Sequence, residues 1–144
     1  MKILVRIMSL AAIFILGSIG RAEAGSAGDD FYRGKVIRIV VGFSPGGGFD
    51  TFARTVARHM GKYVPGNPSV VVENMTGAGS LIAANHVYNV AKPDGLTIGA
   101  FNGNQILAQL VGGQGIAFDA RKMEWMGARP ATTTIFACSA GRPA

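Results

Sequence analysis

A chain of 144 residues, 49% hydrophobic and 15% charged, carries enough apolar side chain for one ordinary core, which excludes a disordered polymer. The formal charge of +6 comes from dispersed Lys and Arg with no basic run interleaved with aromatics, so no nucleic-acid partner is expected; a solvated surface mildly favourable to anions is. A single cysteine, Cys138, removes internal disulfides and thiolate zinc sites, and neither metal nor cofactor is expected.

In chain order, Lys2 and Arg6 precede an apolar run from Ile7 to Ile19 that ends in Ala22-Glu23-Ala24. Residues 1–24 read as a secretory signal peptide cleaved after Ala24. The run is shorter than the roughly 20 residues a membrane span needs, and no cysteine at the cleavage point suggests a lipid anchor. Val36 to Val41, β-branched and nearly continuous in hydrophobicity, predicts a strand covered on both faces. From Phe49 to Met60 the apolar residues Phe49, Phe52, Ala53, Val56, Ala57 and Met60 keep the spacing of one helical face, ending near Gly61 to Pro65.

The pattern then repeats. Val70 to Asn74 predicts a second strand, Met75 to Ser80 a second glycine loop and Leu81 to Ala91 a second helix. Lys92-Pro93-Asp94-Gly95 suits a type I turn. Leu96 to Ala100 predicts a third strand, Asn102-Gly103-Asn104 a third small-residue loop and Gln105 to Val111 a short helix. Gly112 to Lys122 is a glycine-rich linker, Trp125 and Met126 are expected to pack, and Thr132 to Cys138 predicts a further strand. The fold class is therefore α/β, a parallel sheet with flanking helices and right-handed crossovers, which puts all three strand-to-helix loops on one sheet edge.

Those loops hold the candidate chemistry. Gly42-Phe43-Ser44-Pro45-Gly46 has the form of a hydrolase elbow with Ser44 as nucleophile, and a secreted α/β hydrolase is the alternative reading. Against it, the residue after Ser44 must donate an amide N–H to the oxyanion, and Pro45 has none. His59 and His86 do not follow the Ser, acid, His order. Gly46-Gly47-Gly48-Phe49-Asp50 lacks the lysine of a phosphate loop, and Gly77-Ala78-Gly79 lacks the third small residue and the acid of a dinucleotide fingerprint. What remains is glycine backbone placed ahead of helices, where unpaired N–H groups and the helix dipole favour an anion. A carboxylate suits the site, since no lysine or arginine is evident beside it. Asp50 caps its helix or meets an ammonium. Phe43 and Phe101, at strand ends, either wall the pocket or pack in the core. Asn74-Met75-Thr76 matches a glycosylation acceptor only formally.

Three ordered motifs carry a resemblance: Phe43 to Asp50, then Val71-Val72-Glu73-Asn74 with Thr76-Gly77-Ala78-Gly79, then Lys92-Pro93-Asp94-Gly95-Leu96-Thr97. From about Tyr32 to Met126 the chain resembles the periplasmic solute-binding proteins of tripartite tricarboxylate transporters, the Bug family. The resemblance implies the first lobe of a type II clamshell, with residues 25–128 forming that lobe and residues 129–144 crossing into an incomplete second one. It implies a periplasmic, non-enzymatic receptor that captures a small carboxylate and delivers it to a membrane permease. The ligand-binding positions so implied are Phe43, Ser44, Gly46, Gly47, Gly48, Phe49, Asp50, Thr76, Gly77, Ala78, Gly79 and Ser80, with Phe101 and Asn102 from the third loop. Family members are about twice as long, so this chain is expected to be an N-terminal fragment.

Overall fold

The β-branched run at the start of the first repeat sorts its side chains to two faces, and everything else is built on that split. The computed structural model describes residues 31–128 and 134–139; the expected signal peptide, residues 129–133 and the last five residues lie outside the described residues. Strand β1 is Val36–Val41. Its Ile37, Ile39 and Val41 join one apolar cluster and its Val40 another, one on each face of the sheet, as the two-residue period of a strand requires.

Helix α1, Gly48–Met60, covers the first face with Ala53, Val56, Ala57 and Met60. Strand β2, Ser69–Asn74, pairs parallel to β1 in unbroken register. Helix α2, Leu81–Asn89, then covers the opposite face with Ala83, Ala84 and Val87. Strand β3, Thr97–Asn102, pairs parallel to β1 on its other side. At Gly99 an added Cβ would overlap the Phe101 ring, so glycine there leaves room for that ring in the core. Helix α3 is Asn104–Leu110.

The expected all-parallel sheet holds for these three strands and changes beyond them. Strand β4 is Met123–Ala128 and strand β5 is Thr134–Ser139, giving the order β2-β1-β3-β5-β4. β5 runs antiparallel to β3, and β4 antiparallel to β5. β5 lies on the far side of the expected boundary at residue 128, yet it is an interior strand of the same sheet. β4 was not anticipated. Trp125 and Met126, expected to pack, are 40% and 57% exposed; the Trp125 indole N–H donates to Ala120 O at 3.0 Å. No helix among the described residues is long and apolar enough to cross a membrane.

Candidate functional site

Because β1, β2 and β3 are parallel, the loops after them emerge at one edge. Backbone bonds from Met75 N–H to Val41 O at 2.8 Å and from Gly42 N–H to Ala100 O at 3.0 Å carry the pairing past the strand ends. Gly42 then brings the first two loops into contact. A Cβ on Gly42 would lie 2.9 Å from the Ser80 Cα, backbone against backbone, and only glycine permits that approach.

The first loop is fastened by side chains. Asp50 is buried; one of its oxygens accepts from Gly46 N–H at 2.8 Å and from Arg54 Nε at 2.9 Å, the other from Asn74 Nδ2 at 2.9 Å. Asn74 Nδ2 also donates to Phe43 O at 2.9 Å, while its Oδ1 accepts from Arg54 at 3.1 Å. The Arg54 guanidinium first, then the Gly46 N–H, hold the Asp50 carboxyl well below the usual carboxylate range despite its burial. The rings of Phe43 and Phe49 stack at 4.0 Å and close the base of the loop. Two sequence expectations change here. An arginine does stand beside the loop, but Asp50 neutralises it, and Asp50 has both oxygens engaged, so it is a brace rather than a partner for an ammonium.

The second loop is held by packing around an unusual backbone. Gly77, Ala78, Gly79 and Ser80 all have positive φ, at 135°, 45°, 60° and 80°. Non-glycine residues in this region cost about 1–2 kcal/mol each, so the surroundings must enforce it. Ser80 is fully buried; its Oγ accepts from Asn102 N–H at 3.0 Å, and its own N–H donates to Gly77 O at 3.0 Å. Gln105 Nε2 donates to Gly79 O at 2.9 Å, and Asn102 Oδ1 accepts from Asn104 N–H at 2.9 Å. The third loop thus buttresses the second.

The predicted site residues therefore divide. Ser44, Gly46, Gly47, Gly48, Thr76, Ala78 and Gly79 are exposed at the edge, with Phe43, Phe49, Gly77 and Asn102 half-buried behind them. Asp50, Ser80 and Phe101 are buried and serve the scaffold; the Phe101 ring offers a ligand no surface. Arg54 and Asn74 are the additions: the i,i+4 spacing of Asp50 and Arg54 signals a helix pair, but nothing local signals Asn74. The amides left for an anion open α1: Gly48, Phe49 and Asp50 have no carbonyl one turn back within the helix, whereas the Gly46 N–H is spent on Asp50. No hydrogen bond joins Ser44 to His59 or His86 among the described residues. No group of three or more His, Cys, Asp or Glu able to hold a metal is found among them either.

Comparison with known proteins separates the readings that this edge allows. BugT of Bordetella pertussis is 38% identical over 93 residues, covering 65% of this chain and 27% of that protein. A solved structure of a periplasmic transporter superposes with a TM-score of 0.55 at 30% identity, over 68% of this chain and 32% of that one. The chain is similar to Bug-family proteins over part of their length. MatC from Rhodopseudomonas palustris, solved with bound malate, superposes on this chain with a TM-score of 0.50 at 32% identity, over 58% of this chain and 28% of that one. The chain spans about a quarter of the length of the curated relatives it matches. No protein-family model matches it.

Proposed function

We propose that this chain forms the anion-gripping part of a periplasmic solute receptor for small carboxylates, di- or tricarboxylates or related acids, and serves a tripartite transporter whose membrane permease takes the ligand on. The observation that carries the reading is the contact of Gly42 with Ser80, which sets two glycine loops side by side on the edge where parallel α/β sheets bind ligands. The malate in the related MatC structure supports the ligand class. Export follows from the signal-like residues 1–24, and no chemistry is assigned to Ser44.

Charge-assisted hydrogen bonds contribute about 1.5–3 kcal/mol each. Two or three of them on an open edge, less the cost of ordering the ligand, correspond to affinity near about 1 mM. Calorimetric titration with malate, succinate and citrate at low salt tests this. Binding that weakens as salt rises and vanishes for the corresponding diamide supports the reading. No heat with any acid, or equal binding of the diamide, overturns it. Ester turnover lost in Ser44→Ala would favour the hydrolase instead.

A further inference from the structure

Among the described residues the sheet has two open edges, and they are built differently. On β4 the register with β5 shifts between Trp125 and Gly127, an irregularity of the kind that discourages a further strand from pairing. β2 has no such guard. It is six residues long, its register with β1 is unbroken from Ser69 to Asn74, and it contains neither proline nor lysine.

The backbone direction of β2 can be assigned. Ser69 N–H donates to Lys35 O and Met75 N–H to Val41 O, so the odd-numbered residues turn their backbone groups toward β1. Successive residues alternate, so Val70 and Val72 turn theirs outward. Beside them lies a hollow of about 480 Å³ between the strand and α1, lined by Arg54, Ala57, Arg58, Val70, Val71 and Val72. Its charges are both positive. Asp50 and Asn74 engage Arg54, whereas the exposed Arg58 guanidinium has no hydrogen bond or ion pair among the described residues. The acid on β2, Glu73, is held in an ion pair with Arg38, and the alternation of the strand places it on the opposite face.

The geometry points to the outer edge of β2 as a docking site for an extended acidic segment of a partner protein. The segment adds as a sixth strand, exchanging backbone bonds with Val70 and Val72, and its inward-facing side chains fill the hollow with a carboxylate against Arg58. Strand addition supplies sequence-tolerant affinity; the arginine, whose fork matches a carboxylate, supplies the preference for acid. This inference is independent of carboxylate binding at the loops.

The test uses the full chain and a capped peptide of alternating valine and glutamate, with a valine and lysine peptide as control, read by amide hydrogen exchange and chemical shift. Protection gained at Val70 and Val72 but not at Val71 and Glu73 is the signature of strand addition, which a diffuse electrostatic contact does not give. The acidic peptide is expected to bind about tenfold more tightly than the basic one, the ratio a single charge-assisted bond gives. Arg58→Glu is expected to reverse that preference with an unchanged melting temperature. Equal affinity for both peptides, protection confined to β4, or shifts confined to the loop amides Gly48 and Ala78 would overturn the proposal.

Discussion

Residues 43–50 and residues 76–80 meet at one sheet edge, but the first segment is tied down by polar side chains and the second by packing around a left-handed backbone. In the first, Asp50 collects Gly46, Arg54 and Asn74, and the loop itself stays exposed. In the second, the tether is Ser80, buried beneath the loop with its hydroxyl on the Asn102 amide. The contrast teaches that two loops on one sheet edge can be preorganised in two ways with different weaknesses. A charged brace fails with pH or with loss of a partner, and a packed brace fails when volume is added.

The sharpest way to break the contrast is to add volume between the loops. Gly42→Ala drives a methyl group against the Ser80 backbone. We expect a loss of about 3 kcal/mol, toward the upper end for overpacking, read as a lower urea midpoint, with carboxylate binding lost in parallel. Asp50→Ala attacks the other brace. It leaves the Gly46 amide and the Asn74 side chain without their acceptor, at a cost of about 2 kcal/mol, and denaturant titration is expected to show it without the second loop's amide shifts moving.

The charged brace also has a pH signature. Arg54 and the Gly46 amide depress the Asp50 carboxyl, so its contribution to stability is fully present above the unfolded value, about 3.9. It is lost as pH falls from there through the folded value. Asp50→Asn is therefore expected to flatten part of the decline in stability below about pH 4 while leaving the slope at neutral pH unchanged. The decline does not vanish, because Glu73 and Asp119 are depressed by Arg38 and Arg121 in the same sense. The smallest effect falls on the strained loop: Ala78→Gly relieves a φ of 45° against glycine's greater entropy in the unfolded chain. The balance is a gain of about 0.5 kcal/mol, seen as a slightly higher melting temperature.

Most of the edge was legible in the chain because its signals are local. The run Val36 to Val41, the helical spacing from Phe49 to Met60 and the glycines ahead of each helix need no knowledge of distant residues. The direction of β5 does need it, since a strand pattern is the same whichever way it runs. β4 was missed for a related reason: Met123 to Ala128 lacks alternation and contains Gly127, and it becomes a strand through its partner β5. In the site, Asp50 and Arg54 are four residues apart and readable as a pair, whereas Asn74 joins them from another strand. The burial of Ser80 in a left-handed conformation contradicts local preference, and the contacts that hold it, the close approach of Gly42 and the Asn102 amide on its hydroxyl, come from other strands.

Titrating the isotopically labelled chain with malate and following backbone amides tests whether both loops grip one ligand. The amides of Gly48 and Phe49 and those of Gly77 to Gly79 are expected to shift together along one binding curve. Shifts in one loop alone, two curves with different midpoints, or no movement in either loop would contradict it.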